Sequence, residues 1–256
     1  MSNKISVVIN TYNAEIFLHE VLESVKDFDE VVICDMESTD HTLSIAREYG
    51  CKIVTFPKGN ISICEPARDF AIHSASNRWV LVVDADEIVP DALRKYLYEQ
   101  IAEPGFCNAI DIPRANMFMG KRRTGTPDRQ LRFFRQDRAV WPPVIHSAPK
   151  LEDPVISIPA NRKDLYLIHL EDFSIAKRID KLNCYSDYEV VRKPHRKYGF
   201  LGMIFRPLCF FLASFVFQRG FYDGKRGLFR GYFAAFYQVM YMAKLYEIRL
   251  KSENKN

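Results

Sequence analysis

Two signatures of nucleotide binding are missing from this chain. No G-x-G-x-x-G follows the first strand-like run, and no G-x-x-x-x-G-K-[ST] occurs anywhere, so a nucleotide held here does not rest its phosphates in a glycine cradle. Cysteine is sparse and scattered. The six residues Cys34, Cys51, Cys64, Cys107, Cys184 and Cys209 form no C-x-x-C pair and no Cys/His cluster, which argues against structural zinc and against a disulfide scaffold. No basic segment followed by an apolar core opens the chain, so the reducing cytoplasm is the expected compartment. No internal repeat is visible. What is present is 256 residues, 48% hydrophobic and 27% charged, with a net charge of +4. That suffices for one large domain, or a domain with an appendage, and is too apolar for a disordered chain.

The small net charge conceals an uneven distribution. Residues 1–180 carry 22 Lys+Arg against 27 Asp+Glu, whereas residues 181–256 carry 14 against 5 and are rich in Phe, Tyr and Leu. An acidic front and a basic, aromatic tail point to an anionic surface as partner. Within that tail, 200–217 is apolar apart from Arg206. The Arg206-Pro207 pair is expected to leave only Leu208–Phe217 uninterrupted, too short to span a bilayer, which favours a helix lying in the membrane interface. A buried core helix is the ordinary alternative.

The first hundred residues alternate strand and helix signals. ISVVI at residue 5, EVVIC at 30, the run Lys52–Phe56 and WVLVV at 79 read as strands. Between them lie a helix with Phe17, Leu18, Val21, Leu22 and Val25 on one face and Asn13 as its expected cap, a helix from about Asp40 to Gly50, and one from Pro66 to Ser76; Pro90 opens a fourth that closes near Gly105. This order predicts an α/β fold with a mostly parallel sheet, and in such sheets ligands bind at the carboxyl ends of the strands. From Phe106 onward short strands are expected at Asn108–Ile112, Gln130–Phe134, Val155–Ile158 and Leu165–His169, then helices at about 173–191 and 228–250. The expected division is a domain over 1–190, with halves 1–105 and 106–190, and membrane-associated helices over 191–256.

Polar residues close three of the early strands. Asp84-Ala85-Asp86-Glu87 follows the fourth: clustered carboxylates repel unless a cation neutralises them, and oxygen donors of this kind suit Mg²⁺ or Mn²⁺ bridged to substrate phosphates. A solvated loop capping the next helix is the plainer explanation of so common a pattern. Asp35 ends the second strand, with Asp40 placed to cap the helix after it, and Asn10-Thr11-Tyr12-Asn13 ends the first, offering amides, hydroxyls and an aromatic face. A basic run from Lys121 to Arg138 includes Arg132-Phe133-Phe134-Arg135, whose alternation suggests a half-buried strand with its cations toward water. No nucleic-acid-binding motif accompanies it, so a phosphorylated donor or acceptor is the expected partner rather than nucleic acid.

VVINTYN, VVICDMESTDHT, EPARDFAI and WVLVVDADE, in this order and spacing, resemble the family-2 glycosyltransferases with their GT-A nucleotide-sugar-binding fold. RQLRFFRQDRAVWPPVIHS, YLIHLEDFS and RGFYDGKRGL resemble the bacterial branch that builds lipopolysaccharide core and other surface glycans. The resemblance implies an inverting, metal-dependent transfer of a sugar from a nucleoside diphosphate, expected to be UDP, to a saccharide or lipid-linked saccharide acceptor. The enzyme would work in the cytoplasm, peripherally attached to the inner membrane. Carried over by position, Thr11, Tyr12, Asn13 and Asp35 would bind the nucleoside, Arg68, Asp84 and Ala85 the nucleotide sugar, and Asp86 the Mn²⁺ or Mg²⁺ ion. Arg68 could instead serve only as a structural partner of a carboxylate.

Two departures from the family pattern stand out. Glu37 occupies a position that is usually glycine, and His146-Ser147 stands where the related branch has His-Glu. The general base is therefore open, with Asp128, His146, Glu171 and Asp172 as candidates. The missing glutamate would also suit a catalytically silent nucleotide-sugar-binding or scaffold protein of the same fold. A nucleotidyltransferase would need a glycine-rich basic loop that NTYNAE is not.

Overall fold

The computed structural model describes residues 3–59, 64–143, 147–171 and 174–253. In chain order its elements are β1 (Ile5–Thr11), α1 (Glu15–Val25), β2 (Glu30–Asp35), α2 (Thr42–Glu48), β3 (Lys52–Thr55), α3 (Glu65–His73), β4 (Trp79–Asp84), β5 (Glu87–Ile88) and α4 (Asp91–Ala102). There follow β6 (Ala109–Phe118), β7 (Lys121–Arg122), β8 (Asp128–Arg135), β9 (Ala139–Val140), β10 (Lys150–Leu151), β11 (Val155–Ser157), β12 (Leu167–His169), α5 (Ile175–Arg192), α6 (Phe200–Leu212) and α7 (Lys225–Glu253). The chain divides into two compact units, one of residues 1–116 and 127–170, the other of residues 117–126 and 171–256. The boundary thus falls after Leu170 rather than near residue 190. The reason is that α5 belongs with the last helix: its Val190 is buried in one cluster with Tyr241, Met242 and Leu245 of α7.

In the first unit the expected α/β order is present. Strands β3-β2-β1-β4 are parallel neighbours, and β8, β6, β12 and β5 extend the sheet in that order. The extension is mixed: β8 runs antiparallel to both β4 and β6, and β12 is parallel to β6 but antiparallel to β5. Ile5, Val7 and Ile9 of β1 pack with Leu18, Val21, Leu22 and Val25 of α1 and with Leu93 and Leu97 of α4. Val8 on the opposite face packs with Ala67, Ala71 and Ile72 of α3. Burial on both faces is why β1 and β4 read as unbroken apolar runs, and each fully buried side chain of this kind contributes about 1.5–3 kcal/mol.

The start of α1 is capped from a distance. Asn13 has φ 49° and its side chain does not cap the helix, contrary to expectation. The first backbone N–H groups donate instead to the loop after β2: Asn13 N to Ser38 Oγ (2.9 Å), Ala14 N to Thr42 Oγ1 (2.8 Å) and Glu15 N to Asp40 Oδ2 (3.2 Å). Asn13 Oδ1 accepts from Thr39 N in return (2.8 Å). These bonds satisfy donors that a helix leaves open at its start and tie the first two strand–helix loops together.

The second unit is helical, apart from a hairpin made by the end of β6 and β7. Its two-residue turn, Met119-Gly120, has φ 47° and 77°, the conformation of a type I′ connection. Pro207 lies inside α6, which continues through a π-turn over Ala213–Phe217, so Phe200–Phe217 is one helical stretch of 18 residues and not a segment cut at Arg206-Pro207. Arg206 is drawn against α7, its Nε donating to Gln238 Oε1 (2.8 Å) with its guanidinium over the Tyr198 and Phe210 rings. The glycines of RGFYDGKRG permit the close packing that follows: a Cβ on Gly227 would lie 1.8 Å from the Gly220 carbonyl oxygen. Gly227→Ala therefore forces α7 away from the 220–223 turn. An overpacking cost of about 1–3 kcal/mol is expected as a lower urea midpoint for the helical signal in circular dichroism.

Candidate active site

Three strands end in register. Asn10 pairs with Cys34 of β2 and with Asp84 of β4, and Thr11 pairs with Asp35, so the polar strand ends lie along one edge of the parallel half-sheet. Asp35 is fully buried. Its Oδ1 accepts from Thr11 Oγ1 (2.9 Å) and Ser38 Oγ (2.6 Å), and its Oδ2 from Ser38 N (2.9 Å). Asp35 thus fixes the turn in which Glu37 takes a left-handed φ of 62°, the conformation that makes glycine the easier residue there. The Glu37 carboxylate accepts from Lys58 N (3.2 Å), and the Lys58 ammonium sits 4.3 Å from the centre of the exposed Tyr12 ring. A cavity of about 250 Å³ beside Glu30, Tyr49 and Lys52 lies at the amino ends of β2 and β3, away from these residues.

Asp84 occupies the point where the parallel strands meet the antiparallel ones. Its Oδ1 accepts from Arg68 Nη2 of α3 and its Oδ2 from Arg132 Nη2 of β8, both at 2.6 Å. Burial alone would raise its pKa, but the Arg132 and Arg68 guanidiniums outweigh it and hold the carboxyl well below the usual carboxylate range. Glu87 beside it is completely buried and moves the other way: burial and the neighbouring Asp84 charge raise its pKa against the pull of Arg132 and Arg114. Glu87 Oε2 accepts from Asp84 N (3.0 Å), and its Oε1 from Arg114 Nη1 (3.1 Å). Arg132 is itself only 3% exposed, so the expectation that the Arg132–Arg135 strand turns its cations to water is corrected. β8 is an interior strand with Phe133 and Phe134 buried on opposite faces, and Arg132 is drawn inside by two carboxylates. Other cations of the run also pair within the chain, Arg135 on Asp153 with little exposure, and Arg129 on Asp111 and Arg138 on Glu152 nearer the surface.

From this cluster a hydrogen-bonded chain leads to Asp86. Arg114 Nη2 donates to Asp128 Oδ2 (3.0 Å), which also accepts from Asn116 Nδ2 (3.1 Å). Asn116 Oδ1 meets His169 Nδ1 (3.0 Å), and His169 Nε2 meets Asp86 Oδ2 (3.2 Å). A carboxylate only accepts, so the amide group of Asn116 faces Asp128, its carbonyl faces His169, and Nδ1 carries a ring proton. Nε2 lies toward the Asp86 carboxylate, which only accepts, so a proton on that nitrogen completes the chain. The β12–β5 pairing, His169 opposite Glu87, and a bond from Leu170 N to Asp86 O (2.7 Å) hold the two together. Among the described residues no cluster of three or more His, Cys, Asp or Glu side chains could hold a metal unaided.

Several buried polar atoms around Asp84 lack a hydrogen-bond partner among the described residues: both side-chain atoms of Asn10, Nε of Arg114, Nε and Nη1 of Arg132, and Nε1 of Trp141. The Trp141 ring lies against the Arg68 and Arg132 guanidiniums. Orphaned buried groups are rare in native proteins, and here they converge on one carboxylate at a strand's carboxyl end.

The sequence-based candidates thus separate. Arg68, Asp84, Asp86 and Asp128 join one network, Thr11 and Asp35 another beside it, while Asn13 serves the loop and Ala85 packs into the core. Glu171 belongs to the second unit and pairs there with Arg178. His146 and Asp172 lie outside the described residues. Arg114, Asn116 and His169 escaped the sequence reading, because only long-range strand pairing brings them in, whereas Arg132 was singled out in the basic run but assigned to the wet face. Arg132→Met is expected to cost about 3–5 kcal/mol by leaving Asp84 and Glu87 undercompensated, and adding Glu87→Gln should restore part of it. Urea titration followed by the fluorescence of Trp79 and Trp141 checks both.

Known proteins resemble this chain over most of its length. A glycosyltransferase of Rickettsia typhi is 29% identical over 272 residues, covering 98% of this chain and 89% of its own. The lipopolysaccharide core biosynthesis glycosyltransferase LpsC of Rhizobium meliloti is 26% identical over 260 residues, covering 95% and 92%. Among solved structures, S. aureus TarS 1–349 in complex with UDP has a TM-score of 0.47 at 20% identity, covering 86% of this chain and 75% of that one. Residues 6–150 match the sequence profile of Glycosyl transferase family 2, and the chain belongs to that family.

Proposed function

We propose that this glycosyltransferase moves a sugar, with inversion, from a UDP-linked donor to a lipid-linked or lipopolysaccharide-type acceptor at the cytoplasmic face of the inner membrane, and that it depends on Mn²⁺ or Mg²⁺. The observation that carries the donor site is the ring of unpaired buried donors around Asp84, which awaits the oxygens of a ligand. In this reading the exposed Tyr12 ring stacks on the base and the Asp35-anchored turn shapes its seat. Arg68 and Arg132 face the diphosphate, with Asp84 holding their orientation. Asp86 and His169 would hold the divalent ion, which supplies countercharge for the diphosphate leaving group.

Asp128 is our choice of base. It belongs to the same network through Arg114 and Asn116, and at 54% side-chain exposure it remains accessible to an acceptor. As the acceptor oxygen bonds to the sugar's anomeric carbon, its proton passes to Asp128, and the bond to the diphosphate oxygen breaks on the opposite face. The lipopolysaccharide-type acceptor is supported by the likeness to LpsC, and membrane attachment by the apolar stretch Phe200–Phe217, of which only 6% is buried.

Calorimetric titration with UDP is expected to show binding strengthened by Mn²⁺, and Asp86→Ala or His169→Ala to weaken the metal-dependent part by about 10–100-fold. Equal UDP affinity in EDTA and in Mn²⁺ would remove the ion from the mechanism. Asp128→Asn should bind UDP normally yet lose at least about 10²-fold in turnover. Unchanged turnover in that variant would reassign the base.

A further inference from the structure

The second unit contains a cavity of about 240 Å³ that the sugar-transfer reading does not use. Its lining is Phe118, Lys121, Arg122, Arg123, Thr124, Tyr222, Asp223 and Arg226, every one from the second unit. The side chains of Lys121, Arg122, Arg123 and Arg226 line it beside Asp223. Asp223 accepts from Thr124 N (3.2 Å) and Oγ1 (2.8 Å) and pairs with the buried Arg230 (2.9 Å). The wall is fixed rather than loose, because the type I′ turn of the β6–β7 hairpin is held by a bond from Arg226 Nε to Met119 O (2.9 Å). Gly125, with φ 113°, lies so close to the Gln218 backbone that a Cβ would come within 2.6 Å of its carbonyl oxygen. A rigid pocket lined by Lys121, Arg122, Arg123 and Arg226 is built for a compact anion with several oxygens. It is smaller than the roughly 300–1,000 Å³ of sites for drug-sized ligands, which suits a phosphoryl group better than a whole nucleotide.

Its surroundings say where that phosphoryl group comes from. Its lining residues Tyr222 and Asp223 follow shortly after the apolar helical stretch Phe200–Phe217, whose last residue Phe217 is 81% exposed. Phe221 and Tyr222 carry the exposed aromatic surface on to the rim, and Thr124 Oγ1 meets the carbonyl of Arg219 between them (3.0 Å). An apolar helical stretch followed closely in the chain by a cationic pocket matches the two layers of a bilayer surface, acyl chains and anionic headgroups.

We propose that this pocket is a recognition site for the phosphomonoester headgroup of a membrane lipid, engaged while Phe200–Phe217 lies in the interface. The proposal rests on the membrane attachment put forward above and adds a headgroup preference to it. Headgroup oxygens would be shared among Lys121, Arg122, Arg123 and Arg226, with the Tyr222 ring at the lipid boundary.

The test is cosedimentation of the full chain with vesicles of phosphatidylcholine alone, or with phosphatidic acid or phosphatidylglycerol added to equal surface charge. Wild type is expected to prefer phosphatidic acid by about tenfold or more. Lys121→Gln with Arg122→Gln should lose that preference, about tenfold or more on those vesicles, and fall to the phosphatidylglycerol level. The matched pair Arg249→Gln with Lys251→Gln removes the same charge at the far end of α7 and should keep the preference. Arg123→Gln alone should show a smaller loss of the same kind. Equal binding to the two anionic lipids, or equal losses in the two double variants, would overturn the pocket while leaving membrane attachment standing. Wild type that binds no vesicle would overturn both, and the UDP titration would still report separately on the donor site. A loss of UDP affinity in the Lys121/Arg122 variant would assign the pocket to the donor and overturn the lipid reading. So would calorimetric binding of inorganic phosphate to the lipid-free chain without any preference among vesicles, since the ligand would then be a soluble phosphate.

Discussion

The first unit turns on one carboxylate, Asp84, held between two guanidiniums at the seam of its sheet. Parallel β4 ends there and antiparallel β8 runs beside it, so the seam brings Arg132 to the carboxyl edge that carries Asn10, Thr11 and Asp35. Removing a carboxylate from water costs several kcal/mol unless opposite charge and hydrogen bonds replace the solvent. Asp84 receives both from Arg68 and Arg132, and Glu87 receives them from Arg114 and the Asp84 backbone. The three arginines come from α3, β6 and β8. A single acidic loop therefore fixes how the parallel and antiparallel halves join, and the same contacts fix the site.

The charge balance of that network bears on the reaction. Arg68, Arg114 and Arg132 face Asp84, Glu87 and Asp128, so the fixed charges nearly cancel before any ligand arrives. A diphosphate brought into such a site adds negative charge that three already-paired arginines do not neutralise. Under the proposed function the remainder would fall to a divalent ion held by Asp86 and His169, which would supply the missing countercharge.

What could be read from sequence was what local patterns encode. β1, β2 and β4 are short apolar runs ending in polar residues, and their register leaves Thr11, Asp35 and Asp84 along one edge as expected. His169 was invisible as a site residue because its nearness to Asp86, 83 positions away in the chain, depends on β12 pairing with β5. Arg132 was misread because alternation assigns a charged residue to the wet face, while an interior strand has none. Asn13 was misread because helix caps are usually local, and here the loop after β2 supplies them. The boundary was misplaced for a related reason: composition changes at the basic stretch after Arg192, but α5 packs with α7 ahead of that change.

Pro207 illustrates the same limit from the other side. A proline removes one backbone donor and crowds the carbonyl four residues earlier, which is why the sequence suggested a break. Only one ladder bond is lost, however, and α6 packs along α7 with Arg206 bound to Gln238, so the helix persists to Phe217. That persistence matters for the second unit's role. A continuous apolar face of 18 residues buries more surface in an interface than the shorter run after the proline could. Under the proposed membrane attachment, a catalytic unit confined to the surface that carries a lipid-linked acceptor would meet that acceptor at a high effective concentration. Weak contacts with the acceptor's sugar would then suffice under that proposal, leaving binding energy in the first unit for the donor and the transition state.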